Sequence, residues 1–195
     1  MKSLLCAFSL SAAALLAPLA TFADDAKAKS ETKIKEHVIQ DIKLKLPESW
    51  KSQAPENKLR LAQFVATNVD DEKDETTLVV SSFAGGNTQA NMPRWVGEFQ
   101  GGVKAETKSG ESAIGPYEVT DLVGTHVGPS FRRRTAPLEN ARVVMFIVMP
   151  KDKPYYYLKL TGPAKSTAAA AKTLREAIDA DGSKEKVVEM DKAKE

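Results

Sequence analysis

Residues 142–160 read RVVMFIVMPKDKPYYYLKL, and this stretch predicts two neighbouring strands of a sheet. The seven consecutive apolar residues from Val143 to Met149 are typical of a central strand that is covered on both faces. The charged segment 151–154 ends in proline and is expected to turn the chain back. After the turn the side chains alternate between two faces, with Tyr156, Leu158 and Leu160 on one and Tyr155, Tyr157 and Lys159 on the other. The stretch therefore predicts an antiparallel pair at the centre of the fold.

Four other segments have the period of two that is typical of strands, and they lie at 42–47, 59–66, 76–83 and 117–125. In the first of them, Ile42, Leu44 and Leu46 alternate with charged residues until Pro47 stops the strand. The acidic run 70–75 is expected to form the turn between the second and the third. Strands that follow one another closely, joined by short turns, favour an antiparallel sheet.

Two segments have helical spacing instead. The first has an apolar stripe at positions i, i+3, i+4 and i+7, made of Met92, Trp95, Val96 and Phe99. Asn91 is the expected cap, Pro93 fits only in the first turn, and Gly101-Gly102 is expected to end the helix. The second helix is predicted over 167–180, with Ser166 as its cap. The predicted class is α+β, a single domain in which an antiparallel β-sheet packs with two main helices.

The N-terminus predicts export. Lys2 is followed by an apolar segment from Leu4 to Ala20, and small residues stand at Thr21 and Ala23 before the acidic pair Asp24-Asp25. This pattern indicates a secretory signal peptide over residues 1–23, cleaved after Ala23. Cleavage would remove Cys6, the only cysteine in the chain, and would leave a cysteine-free mature protein without a transmembrane segment. The expected location is the periplasm or the extracellular medium.

The rest of the chain divides into three parts. Residues 24–35 lack apolar periodicity and are expected to be a flexible leader, while residues 183–195 are expected to be a charged C-terminal tail. The single α+β domain is predicted between them, over residues 36–182.

Composition excludes several classes of function. The 28 basic and 26 acidic residues give a formal charge of +2, which provides no electrostatic case for nucleic acid. One cysteine and two histidines are too few for a disulfide framework or a zinc site of cysteine and histidine ligands. The acidic run 70–75 lacks the spacing of a calcium-binding loop, and Gly85-Gly86 lacks the spacing of a phosphate-binding loop. We therefore predict no catalytic residues, no metal and no cofactor.

Two surfaces are candidates for binding a partner. The first is the basic cluster Arg132, Arg133 and Arg134, which lies in a loop that contains proline and glycine and could bind a carboxylate, a phosphate or an acidic protein face. The second is the outer face of the last strand, with Tyr155, Tyr157 and Lys159, which is either covered by a helix or exposed as an aromatic patch.

The alternative is a pocket for a small molecule between a helix and the sheet. Arg94, Asp121 and His126 would supply its polar groups, either for binding or for hydrolysis. This hypothesis requires the three side chains to converge on one cavity.

Several segments, in this order, resemble secreted bacterial proteins of uncharacterised function that have a PsbP-like or Mog-like fold. They are Leu46-Pro47-x-x-Trp50, Phe83-Ala84-Gly85-Gly86, Asn91-x-x-Arg94-Trp95-x-x-x-Phe99, Asp121-x-x-Gly124-Thr125 and Tyr157-Leu158-Lys159-Leu160-Thr161-Gly162-Pro163. The resemblance implies an antiparallel sheet sandwiched by helices, without a cofactor or an enzyme activity, because such relatives act as binding or assembly factors. The chain is thus expected to be a non-enzymatic exported module that acts through an unknown protein partner in the cell envelope.

Overall fold

A computed structural model describes residues 32–67, 75–129 and 136–189. The predicted signal peptide lies outside these residues. The described strands are β1 (Ile34–Ile39), β2 (Ile42–Pro47), β3 (Lys51–Gln53), β4 (Arg60–Thr67), β5 (Glu75–Phe83), β6 (Phe99–Glu111), β7 (Pro116–His126), β8 (Leu138–Val148), β9 (Tyr155–Pro163) and β10 (Lys186–Val187). The described α-helices are α1 (Thr88–Val96) and α2 (Ala164–Ala177).

Eight of these strands form one antiparallel sheet, in the order β10-β6-β7-β8-β9-β5-β4-β3. The strands β1 and β2 pair with each other in a separate antiparallel hairpin. The α+β class, the antiparallel sheet and the two main helices are therefore confirmed. Strand β8 lies between β7 and β9, and its residues from Val143 to Val148 are all at most 4% exposed, as expected for a central strand covered on both faces.

The two faces of the large sheet carry different cores. On the first face, which we call the α2 face, a large apolar core joins the sheet to α2 and to the β1–β2 hairpin through residues such as Leu44, Phe146, Leu160 and Leu174. On the second face, which we call the α1 face, seven buried residues form a smaller core: Trp95, Phe99, Leu122, Val143, Met145, Ile147 and Tyr157.

The first helix begins earlier than the sequence predicts. Asn87, not Asn91, is its cap, because the Asn87 side chain accepts a hydrogen bond from the backbone N–H of Ala90 at 2.9 Å. Pro93 consequently lies inside the helix, beyond the first turn. The helix ends before Phe99, which begins β6, and Gly101 and Gly102 form a bulge in that strand with φ angles of +72° and +92°. The apolar stripe continues through Phe99 because the strand points that side chain into the same core.

The domain also extends beyond both predicted boundaries. Strand β1 begins at Ile34, inside the segment expected to be a leader, because its backbone pairs with β2 from Ile34 opposite Pro47 onward. In the segment expected to be a tail, β10 pairs with β6. Glu185, just before β10, is buried and accepts hydrogen bonds from Arg175 Nε at 2.7 Å and from the Tyr117 hydroxyl at 2.8 Å. Residues up to at least Val187 are therefore part of the fold.

Candidate functional site

The predicted binding residues Arg132, Arg133 and Arg134 lie outside the described residues. Their role in binding stays a prediction.

Of the two alternatives for the outer face of β9, a covering helix or an exposed aromatic patch, the structure has the covering helix at Tyr157. Tyr155, Tyr157 and Lys159 do share one face of the strand, but Tyr157 is only 6% exposed and belongs to the same core as Trp95 of α1. Its hydroxyl donates to the carbonyl oxygens of Gly85 at 2.8 Å and of Gly86 at 2.9 Å. Burial raises the pKa of the Tyr157 hydroxyl above its ordinary value. The face is covered because the turn before α1 and the helix itself fold over it.

The pocket predicted from Arg94, Asp121 and His126 does not form either. Asp121 and His126 are five residues apart on β7, and an odd separation in a strand places two side chains on opposite faces of the sheet. Asp121 lies on the α2 face, where its Oδ1 is 3.1 Å from Arg142 Nε. The two groups form an ion pair, but their geometry is not that of a hydrogen bond. Burial raises the pKa of the Asp121 carboxyl. Arg94 is exposed on α1.

His126 instead meets a glutamate that we did not expect from the sequence. Glu98 lies in the turn between α1 and β6, and its Oε2 is 3.2 Å from His126 Nε2. The same oxygen accepts a hydrogen bond from Lys159 Nζ. The side chains of His126, Glu98 and Lys159 are 6%, 7% and 24% exposed. We call these three residues the charge cluster.

The backbone holds the cluster in place. His126 is the last residue of β7 and pairs with Phe99 at the start of β6. The N–H groups of Val127 and Gly128 both donate to the carbonyl oxygen of Glu98, at 2.8 and 3.2 Å. The end of β7 is thus tied to the Glu98 turn through main-chain and side-chain contacts, while Lys159 reaches the same carboxylate from β9.

The electrostatics of the cluster favour an ionised glutamate. Burial would raise the pKa of Glu98, but the hydrogen bond from His126 and the positive charge of Lys159 outweigh it, so the pKa lies below its ordinary value. An ionised carboxylate can only accept hydrogen bonds, so His126 Nε2 must carry the proton that faces it. His126 Nδ1 is buried and has no hydrogen-bond partner in the described part of the chain.

The charge cluster lies at one end of a groove of about 480 Å³ on the α1 face. The floor is made of side chains of β5 and β9, chiefly Thr77, Val79 and Thr161. Thr77 and Thr161 are directly opposite each other in the β5–β9 register, and both are half-buried. We call this surface the threonine groove.

The rim of the threonine groove is partly charged and partly apolar. On one side, Arg60 donates to Gln63 Oε1 at 2.7 Å and pairs with Glu56 at 3.2 Å. Elsewhere the lining includes Pro129, Leu138 and Pro163. Within the described residues, the basic side chains of this surface are therefore paired with acidic ones, and its free hydrogen-bonding groups are mainly hydroxyls.

A second pocket, of about 410 Å³, lies at the C-terminal end of α2, between that helix and the β1–β2 hairpin. Its rim is closed by ion pairs that connect separate elements, with Lys45 Nζ 3.0 Å from Asp179 and Lys153 Nζ 2.7 Å from Asp41. Asp41 also accepts a hydrogen bond from Tyr156, whose pKa rises to about 12 mainly because the hydroxyl is buried. These contacts fasten the hairpin to the domain, which is a structural role.

Sequence reasoning identified His126 and Lys159 but missed Glu98 and the two threonines. Glu98 follows a predicted helix stripe and has no motif around it, so nothing in the local pattern marks it as buried. Thr77 and Thr161 are ordinary strand residues, and only the β5–β9 register brings them together. The residues described in the structure contain no cluster of three or more metal-ligating side chains. Among the same residues, no helix is long and apolar enough to cross a membrane.

No family model matches the chain, and no curated protein matches it. Among solved structures, the chain is similar to the solution structure of the cyanobacterial PsbP protein CyanoP from Synechocystis, at 10% identity and a TM-score of 0.46, covering 83% of this chain and 96% of that one. It is also similar to the crystal structure of LpqN from Mycobacterium tuberculosis, a protein involved in cell envelope biogenesis, at 14% identity and a TM-score of 0.40, covering 83% of this chain and 88% of that one. Neither likeness specifies a ligand, a partner or a mechanism for this chain.

Proposed function

We propose that the protein is an exported binding module that holds a polar ligand in the threonine groove without transforming it. The observation that carries this proposal is the buried charge cluster at the end of that groove. The predicted signal peptide supports a location in the periplasm or the extracellular medium.

Stability alone is a weak reason for such a cluster. Removing charges from water is costly, and well-packed apolar residues often replace a buried ion pair without loss of stability. Ionisable groups with shifted pKa values that lie in a cleft are candidates for function. Glu98 meets this description, because its side chain is 7% exposed, its pKa is lowered and it lines the groove.

The proton positions favour binding over catalysis. Glu98 is held ionised by two donors, so it is a poor general acid at neutral pH. Its oxygen is already engaged by Lys159 and His126, which fixes the position of both donors on the groove wall. The three side chains therefore line the groove in fixed positions.

The proposal replaces the predicted aromatic patch on β9 and the predicted pocket of Arg94, Asp121 and His126, whereas binding by Arg132, Arg133 and Arg134 stays a prediction. Tyr157 is buried and Asp121 lies on the opposite face, so neither can line this groove. Of the residues that we predicted, Lys159 and His126 do line the groove, and both contact Glu98.

Native mass spectrometry of the mature protein, isolated gently from the envelope or medium of its own host, tests the proposal. We expect an additional mass of a small molecule that is lost on denaturation. The double variant Thr77→Val/Thr161→Val should lose this mass, because it removes the two groove hydroxyls. The matched control is Thr107→Val/Thr120→Val, which removes a threonine pair whose hydroxyls are buried and bond to each other at 3.0 Å.

A bound mass that survives in the groove variant would place the ligand elsewhere and overturn the proposal. So would the absence of any bound small molecule, together with a co-purifying protein at fixed stoichiometry. The second outcome would return attention to Arg132, Arg133 and Arg134.

A further inference from the structure

We propose that the ligand of the threonine groove is a neutral saccharide, bound through hydroxyl–hydroxyl contacts on the groove floor. This inference rests on the proposed function and adds the chemical class of the ligand.

The floor supplies paired hydroxyls. Thr77 and Thr161 are cross-strand neighbours, and neither side chain has a hydrogen-bond partner among the described residues. A threonine hydroxyl both donates and accepts, so two of them side by side can exchange bonds with groups that also do both. Saccharide hydroxyls have this property, whereas a carboxylate ion can only accept.

The charges of the groove do not call for an ionic ligand. Lys159 is paired with Glu98, and Arg60 is paired with Glu56, so each cation already has its counter-charge within the protein. An anionic ligand would have to compete with a carboxylate that is held in place, while a neutral ligand leaves both pairs intact. Glu75 on the lining adds carboxylate oxygens, which are strong acceptors for hydroxyl donors.

The ring of His126 lines the groove beside Glu98. Its Nε2 faces Glu98, and its Nδ1 is buried and has no hydrogen-bond partner among the described residues. The apolar rim residues Leu138 and Pro163 could contact the C–H groups of a sugar ring, which lie between its hydroxyls.

The test is a titration of the 15N-labelled mature protein, followed by NMR, with three neutral disaccharides: maltose, cellobiose and N,N′-diacetylchitobiose. Acetate and inorganic phosphate are the ionic probes at equal ionic strength. We expect at least one disaccharide to shift the amide signals of Thr77 and Thr161, and neither anion to do so at the same concentration. Thr77→Val/Thr161→Val should weaken the interaction about tenfold, and Thr107→Val/Thr120→Val should leave it unchanged.

The outcomes separate this inference from the proposed function. If acetate or phosphate shifts the groove amides and the disaccharides do not, the ligand is an anion, and the saccharide is wrong while the groove remains a binding site. If no probe shifts the groove and the protein from its host carries no small molecule, both proposals are wrong.

Discussion

The two faces of the large sheet differ in what they bury. The α2 face holds an apolar core of more than twenty buried residues, which joins the sheet, α2 and the β1–β2 hairpin. Among the described residues, the α1 face holds a core of seven buried residues, under a helix of nine residues that contains a proline. Beside that small core lie a buried glutamate, a buried histidine and a groove.

The same contrast appears in the buried polar groups of the two helices. On α2, Thr167 is buried and shares a hydrogen bond with Thr76 at 3.1 Å. On α1, Thr88 Oγ1 and Trp95 Nε1 are buried without a hydrogen-bond partner within residues 32–67, 75–129 and 136–189. Buried polar atoms without partners cost free energy, so the two atoms on α1 make the packing of that helix less favourable.

Two buried glutamates sharpen the comparison. Glu185 accepts from Arg175 and Tyr117 at the edge of the α2 face, away from the threonine groove. Glu98 accepts from Lys159 and His126 at the end of the groove. Both carboxylates hold two donors, but only Glu98 lines a surface that we propose to bind a ligand.

The largest expected effect comes from truncating matched leucines on the two faces. Leu160 on the α2 face and Leu122 on the α1 face are both fully buried. We expect Leu160→Ala to lower the free energy of unfolding by about 4 kcal/mol and Leu122→Ala by about 3 kcal/mol, because the smaller core under a short helix can relax around the cavity. Urea unfolding measures both. Equal losses would contradict the difference in packing between the faces.

The next largest effect on stability is expected from substituting the two buried glutamates, Glu98 and Glu185. Glu98→Ala and Glu185→Ala should each lower the free energy of unfolding by about 3 kcal/mol, because each leaves one buried and one partly buried donor without an acceptor. Only Glu98→Ala should also abolish ligand binding in the threonine groove. If Glu185→Ala reduces binding as strongly at equal stability, the charge cluster has no special role in the site.

Much of this architecture could be predicted from the sequence, and the reason is periodicity. Periodicity is visible within a single segment of the chain, as the alternation in β2, β5 and β9 and the apolar run of β8. All four strands form where expected. Strand β6 was missed because it has few buried apolar residues and carries charged or small residues at most positions, so no period is visible.

The site could not be predicted in the same way, because it depends on pairings between distant segments. Glu98 and Lys159 are 61 residues apart, and Glu98 and His126 are 28 apart. The spacing of Asp121 and His126 did contain the information that they face opposite sides, since an odd separation on one strand excludes a shared cavity. Register across strands, by contrast, cannot be obtained from the period of one strand.

A smaller effect should appear in the pH dependence of stability. The folded-state pKa of Glu98 lies below its ordinary value, so its contribution is present above the unfolded pKa of about 4.3 and is lost as the pH falls through the folded pKa. Glu98→Gln should therefore flatten the decrease in urea midpoint below pH 5. Asp121 on the α2 face should behave in the opposite way, because its pKa is raised in the fold. Asp121→Asn should therefore steepen the decrease in urea midpoint below pH 5. An unchanged pH profile in Glu98→Gln would show that its ion pairs contribute nothing to folding.

The smallest expected effect concerns single hydroxyls on the two faces. Tyr117 donates to Glu185 on the α2 face, and Tyr157 donates to the carbonyls of Gly85 and Gly86 before α1. Each Tyr→Phe change should cost about 1 kcal/mol of unfolding free energy, since the contacts of a single hydroxyl are lost and no large cavity forms. The two variants should differ in hydrogen exchange. Tyr157→Phe should speed exchange at the amides of α1, because the hydroxyl fastens the turn from which that helix begins.

Tyr117→Phe should leave exchange in α2 nearly unchanged, because Arg175 still holds Glu185 through two nitrogens, at 2.7 and 3.1 Å. A helix on a large apolar core does not depend on one hydroxyl, whereas a short helix with unpartnered polar groups does. If both helices exchange at the same rate in both variants, α1 is as firmly packed as α2. The groove beside α1 would then have to bind its ligand on a surface as rigid as the rest of the sheet.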